Sequence, residues 1–374
     1  MAFCSFCGKP LQEGAAFCGN CGRPVAPTAG SSGSSSQSNK TSSSSWFDHL
    51  NDYVGNEGSK DLNWRVLFSE VTQKHTSEDA EEVFIYGTRK TTPSINQVSK
   101  DWPHPWLYSR VFLLFAVTFA LLWICCSLFN NPNTVPGLIV VGSFAVPLAV
   151  LVMFMELNTW RNISFFEVMM IFFVGGCASL VATLFVNSLL GSYQMDYFGA
   201  FLTGIVEEAG KAVIVYYFLK RMDKPTILGG LLVGAAVGAG FAAFESAGYA
   251  MRFMMQNGWN TMMSIIMLRA FLAPGGHVVW AAMSGVGFVV AFKSMDEIST
   301  SVFTNTKFLR LFIIPVVLHG IWDCPLSAIG GNIPLVPIGL TVFAWVIVLI
   351  LVNMGLSEVS KVQADMGKEQ NNYA

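Results

Sequence analysis

The sequence predicts an all-α polytopic membrane protein of about eight transmembrane helices, preceded by a small zinc ribbon and a flexible linker. Three observations predict it. First, 53% of the 374 residues are hydrophobic and only 12% are charged, against about 25% charged in an ordinary soluble domain. Second, the charges are uneven: residues 40–110 are conventionally polar, whereas residues 111–354 contain long stretches with none. Third, four cysteines pair up in the first 21 residues, and a run of small polar residues follows them. The net charge of −2 gives no argument for nucleic-acid binding. No apolar run begins at Met1, so no cleavable signal peptide is expected, and insertion falls to the first internal span.

The amino-terminal cysteines read Cys4-x2-Cys7-x10-Cys18-x2-Cys21. Two thiolate pairs close a tetrahedral zinc site, and with all four positions filled by cysteine the metal is structural, with no position left for water. Gly8 and Gly22 follow the second cysteine of each pair, where a residue without a β-carbon lets the backbone curl around the metal. So short a module has too little core to fold alone, and metal binding supplies its folding energy. Residues 1–26 are therefore expected to form a zinc ribbon, a module suited to contacting a protein partner. Thiolate ligation favours a reducing compartment and places this end in the cytoplasm. The other four cysteines, Cys125, Cys126, Cys177 and Cys324, lie in apolar segments and read as small core residues, so no disulfide framework is expected.

Residues 27–45 are almost all Ser, Gly, Thr and Asn and read as a tether. Residues 46–107 read as a cytoplasmic juxtamembrane region, with short helices over Asp61–Phe68 and Ser77–Tyr86 and an irregular stretch over Thr88–Pro105. About 20 apolar residues are needed to cross a bilayer. The candidate spans are 109–129, 135–155, 165–190, 198–219, 226–250, 261–292, 308–329 and 334–354. The sixth contains Pro274, Gly275 and Gly276 and is expected to kink or to begin as a re-entrant segment. Lysine and arginine favour every second loop: Lys90, Lys100 and Arg110, then Arg161, then Lys220, Arg221 and Lys224, then Lys293 and Lys307, then Lys361 and Lys368. The intervening loops hold only Arg252. This is the positive-inside pattern. It predicts a multi-pass membrane protein with residues 108–354 in the bilayer, a tail over 355–374, and both termini in the cytoplasm.

Ionised groups inside a membrane face a bundle interior or a wet cavity. The fourth span carries Glu207, Glu208 and Lys211; the fifth Glu245; the sixth Arg269 and His277; the seventh His319 and Asp323. Helical spacing puts Glu207 and Glu208 on the face of Lys211, and His319 on the face of Asp323. Phe241 lies four residues before Glu245 and by itself reads as core packing. Small residues around them (Gly204, Gly210, Gly234, Gly238) permit close helix approach. Such pairs also hold helices together, and proton or ion pathways use the same residue types. The residues alone leave structural pairing, transport and hydrolysis open.

The motifs Glu207-Glu208-x-x-Lys211, Phe241-x-x-x-Glu245, Arg269 through Pro274 to His277, and His319-x-x-x-Asp323 arrive in order. In this the region 108–354 resembles the PrsW family of intramembrane proteases. More distantly it is similar to the prenyl-protein (CAAX) endopeptidases, whose second motif ends in histidine where Glu245 stands here. The resemblance implies a place in a bacterial cell membrane and proteolysis of membrane-anchored proteins, in the known case an anti-sigma factor. Peptide hydrolysis needs an activated water and a means of holding the oxyanion. Glu207 or Glu208 is the expected general base, with Lys211 orienting the pair. His277, His319 and Glu245 are the expected ligands of a catalytic divalent metal, zinc by ligand type, with Asp323 orienting His319 or adding a further ligand. A metal-free version has Glu207 activate water with help from Glu245, while His277, His319 and Arg269 stabilise the oxyanion. The rival readings are a transporter or channel, for which no convincing inverted repeat is seen, and a scaffold whose zinc ribbon recruits a partner.

Overall fold

The structure is a computed structural model. It describes residues 46–55, 64–88, 90–191, 193–329 and 333–372. The zinc-ribbon cysteines and the Ser-rich linker lie outside the described residues. Three short helices precede the membrane region: α1 (Trp46–Val54), α2 (Trp64–Phe68) and α3 (Ser77–Ile85). They are followed by α4 (Leu107–Phe129), α5 (Val135–Leu157), α6 (Phe165–Met170), α7 (Gly176–Leu190), α8 (Tyr197–Leu219) and α9 (Ile227–Asn257). The last four are α10 (Trp259–Leu272), α11 (His277–Phe292), α12 (Thr306–Asp323) and α13 (Leu335–Asn372). Among the described residues every regular element is helical.

Local chemistry explains the boundaries. Thr76 and Asp79 close a reciprocal capping box at the start of α3. Asn130, in the left-handed region at φ 47°, ends α4, and a turn at Pro132–Thr134 starts α5 antiparallel to it. Glu156, near the end of α5, accepts backbone N–H bonds from Trp106, Leu107 and Tyr108 at 2.7, 2.8 and 3.0 Å. These are the donors a helix start leaves unpaired, so one side chain of α5 fixes where α4 begins. α6 runs into α7 through one wide π-type turn, Ile171–Gly175.

α9 is the hub. Its apolar stretch is 94% buried, and it packs on α5, α7, α10 and α11. A β-carbon on Gly234 would collide with the Ala281 carbonyl of α11, so glycine is what allows these two backbones to touch. α13 passes the start of α11, where Trp345 donates its indole N–H to the Pro274 carbonyl at 2.9 Å. Past the apolar segment, Gln363 of α13 donates to the Val98 carbonyl at 2.9 Å and so ties down the irregular juxtamembrane chain.

Among the described residues, six helical segments are long and apolar enough to cross a membrane, where eight were expected: Leu107–Phe129, Pro132–Leu157, Phe165–Leu190, Ile227–Asn257, Trp259–Phe292 and Leu335–Met366. The other two expected spans correspond to α8 and α12. They reach 23 and 18 residues, but α8 carries Glu207, Glu208 and Lys211, and α12 carries Lys307, Arg310 and Asp323. Their charge removes them from the apolar set. The seventh expected span, drawn to residue 329, ends at Asp323: Cys324 is extended ahead of Pro325, as a residue before proline prefers. The sixth is broken at Ala273–Gly275. The eighth continues beyond residue 354 to Asn372. Among the juxtamembrane helices, α1 was not expected, whereas α2 and α3 lie inside the predicted ranges.

Candidate active site

Five helices supply the polar groups. Glu207, Glu208 and Lys211 sit in the middle of α8, Glu245 in the second half of α9, and Arg269 in the last turn of α10. His277 is the first residue of α11, and His319 and Asp323 end α12. The break at Pro274 and Gly275 separates α10 from α11. Arg269 and His277 therefore reach the same carboxylate from two helices. α8 and α12 meet closely: a β-carbon on Gly204 would lie 3.1 Å from the Gly320 nitrogen. That approach sets the carboxylates of α8 against the imidazole of α12.

The contacts form two chains that meet at Lys211. Glu208 Oε1 accepts from Lys211 Nζ at 2.7 Å and lies 2.8 Å from His319 Nδ1. Lys211 Nζ is also 2.8 Å from His277 Nδ1, 3.8 Å from Glu207 Oε2, and 4.3 Å from the centroid of the Phe241 ring. Phe241 thus sits under an ammonium group, beyond its packing role. On the far side of His277, Nε2 lies 3.1 Å from Glu245 Oε2, and Glu245 also takes the guanidinium of Arg269. Arg269 Nε donates to Ser246 Oγ at 2.7 Å, and its guanidinium stacks 4.7 Å over the Tyr249 ring. On α12, His319 Nε2 lies 3.3 Å from Asp323 Oδ2 and 3.6 Å from Glu207 Oε2.

These groups differ in access. Glu208 and Lys211 are fully buried. A cavity of ≈ 260 Å³ is lined by Glu207, Glu245, Arg269, His277, His319 and Asp323. Glu208 and Lys211 are not among its lining residues; they stand behind the histidines and hold them. Glu207 Oε2 is buried and makes no hydrogen bond. Sequence reasoning did not find Trp280 and Trp322, which also line this cavity. The Trp280 ring lies 5.2 Å from His277, 4.6 Å from His319 and 5.4 Å from Trp322. The signal was present: each tryptophan stands three residues after a site histidine, the helical spacing already used for the charged pairs.

One ligand atom each from Glu207, His277 and His319 lies within 4.8 Å of the other two. A carboxylate and two imidazoles make a recognised catalytic zinc set with room for a fourth ligand. Glu245, grouped with the two histidines from sequence, lies 3.1 Å from His277 Nε2 and also takes the guanidinium of Arg269, while the three converging ligand atoms come from Glu207, His277 and His319. The chemistry of the surroundings fits a divalent cation. Four carboxylates (Glu207, Glu208, Glu245, Asp323) face two fixed cations (Lys211, Arg269), leaving two negative charges formally uncompensated. Glu208 at Nδ1 of His319 leaves the other ring nitrogen facing Glu207 and Asp323, the carboxylate–histidine arrangement that orients metal ligands. Both ring nitrogens of His277 have partners within 3.1 Å. One of those must yield for the ring to act as a ligand.

Comparison with known proteins agrees with this geometry. The family model described as PrsW family intramembrane metalloprotease matches residues 165–352, just over half of the chain, and includes every site residue above. The matched segment starts at α6, so α4 and α5 precede it. A zinc-ribbon domain model matches residues 3–25. No curated protein and no solved structure matches the chain. The chain belongs to the PrsW family of intramembrane metalloproteases, with a zinc-ribbon domain at its amino terminus.

Proposed function

We propose that this protein is an endopeptidase that hydrolyses peptide bonds of membrane-anchored proteins, with Glu207, His277 and His319 holding a divalent metal, zinc. The observation that carries the reading is the convergence of those three ligand atoms, from three helices, on a cavity deep in the bundle. A transporter or a scaffold gives no reason for an imidazole–imidazole–carboxylate set inside a family of proteases. The catalytic domain is taken as residues 108–354, because α5 caps α4 through Glu156 and packs on the hub α9. α8 and α12 are read as polar crossings, giving eight in all. The four cysteines Cys4, Cys7, Cys18 and Cys21 are read as ligands of a structural zinc.

A metal bound at this centre supplies Lewis acidity toward the scissile carbonyl and the attacking water. The chain's own residues do the rest. Glu208 holds the proton at Nδ1 of His319 and so fixes the ring's tautomer. Lys211 compensates Glu208 and anchors His277. Asp323 stands at the cavity wall, a quarter exposed and 3.3 Å from His319 Nε2. It is the carboxylate positioned to take the proton from water and return it to the leaving amine. Arg269, steadied by Glu245 and Ser246, presents positive charge to the developing oxyanion. Trp280 and Trp322 exclude water around the histidines.

The occupied nitrogens of His277 favour one second reading, in which no metal binds. There Glu207, with an oxygen free of hydrogen bonds, activates water directly, and His277, His319 and Arg269 stabilise the oxyanion. Loop charges favour cytoplasmic termini. In that orientation Asp323 and the 191–196 loop residue Met195, both lining the cavity, lie in the half of the membrane away from the cytoplasm. Cleavage then falls in that half.

The test is co-expression with a panel of single-span membrane proteins, anti-sigma factors included, read out as truncated products. Products that appear with the wild type and vanish with Glu207→Gln support the reading. Products that persist at wild-type level with both Glu207→Gln and His319→Ala contradict it.

A further inference from the structure

At the end of the bundle away from the catalytic cavity, a second cleft of ≈ 440 Å³ lies among α9, α11, α12 and α13. Three lysines from three helices line it: Lys293 just after α11, Lys307 at the start of α12, and Lys361 on α13. We propose that this cleft binds the phosphodiester headgroup of an anionic phospholipid.

The charge balance fits such a group. Two carboxylates, Glu358 and Asp365, share the cleft with the three lysines, which leaves one positive charge in excess. Glu358 is already committed. One of its oxygens accepts the Ile227 backbone N–H at 2.7 Å and so caps α9, while the other pairs with Lys293. Lys307 is exposed, and its side chain makes no ion pair among the described residues. A phosphodiester carries a single negative charge and matches the excess, whereas a doubly charged phosphate does not.

The shape and depth argue for a lipid over free phosphate. Val290 lies one turn deeper than Lys293 on α11, and Met354 one turn deeper than Glu358 on α13. The cleft therefore has an apolar floor under a charged rim, as an amphiphile requires. From Leu335 to Lys361 a helix rises roughly 39 Å, beyond the roughly 30 Å hydrocarbon layer, so the lysines stand at headgroup level. α1 packs on α12 and α13 and ends at Val54, and the next residue, Gly55, is on the cleft wall. Its Trp46 and Tyr53 are exposed while Val54 is buried, the pattern of a helix lying in the interface.

The experiment uses the full-length protein purified in a neutral detergent. Phosphatidylglycerol, phosphatidylcholine or sodium phosphate is titrated in, and binding is followed by tryptophan fluorescence and by retained lipid in native mass spectrometry. The variants are Lys307→Gln and Lys361→Gln, with the loop variant Lys224→Gln as control. The expected result is saturable binding of phosphatidylglycerol alone, weakened about fivefold by each cleft variant and unchanged by the control. Equal binding of both lipids, equal affinity in Lys307→Gln and the wild type, or full competition by sodium phosphate at matched ionic strength overturns the proposal. The last result reassigns the cleft to free phosphate.

Discussion

Replacing Lys211 with methionine tests whether the buried network behaves as a unit. The ammonium touches Glu208 at 2.7 Å, His277 at 2.8 Å and the Phe241 ring at 4.3 Å, and neither Lys211 nor Glu208 has any exposed surface. Methionine keeps most of the volume, so the cavity contribution is small. What remains is a carboxylate with no compensating charge. Removing one partner of a buried ion pair costs about 3–5 kcal/mol, and the lost cation–π contact adds about 1–2 kcal/mol. The sum is comparable to the whole stability of many domains. Glu208→Gln in the same chain removes the orphaned charge, while its amide oxygen still accepts from His319. The double variant is therefore expected to recover about 2–3 kcal/mol of the loss. Equilibrium unfolding in mixed micelles of the wild type, both single variants and the double variant gives the cycle. Additive effects, or a Lys211→Met protein within about 1 kcal/mol of the wild type, would refute the reasoning.

Two further perturbations test the scaffold. Gly234→Ala drives a methyl into the Ala281 carbonyl of α11; a loss of about 1–3 kcal/mol and reduced substrate cleavage are expected, measured by thermal unfolding and the co-expression assay. Glu156→Gln removes the charge that caps α4 through three backbone N–H groups; about 1–3 kcal/mol of stability should be lost, with hydrogen exchange faster at Trp106–Tyr108 than elsewhere in the bundle.

What was legible in the sequence is what one helix decides by itself. The i,i+3 and i,i+4 spacing gave Glu208 with Lys211 and His319 with Asp323, and both pairs are in contact. It also put Glu207 beside Lys211. Which helix faces which was not legible, because side chains on different helices have no fixed sequence offset. Glu208 lies 111 residues from its partner His319, and Lys211 lies 66 from His277. That is why neither the position of Glu208 behind His319 nor the sharing of Glu245 between Arg269 and His277 could be read from spacing. The apolar set falls two short of the expected spans, at α8 and α12, for a related reason: the charges that make the site are the ones that lower a helix's apolar character. Glu156 gave no signal, since a carboxylate at a helix end looks the same whether it caps a neighbour or faces water.

The most direct measurement is metal content of the intact protein after mild, chelator-free purification. Two equivalents of zinc per chain are expected, one lost in Cys4→Ser and the other in His319→Ala, with proteolysis of a membrane-anchored substrate lost in the second variant but retained in the first. A single equivalent that disappears with Cys4→Ser, while cleavage still depends on Glu207, would contradict a metal at the Glu207–His277–His319 centre.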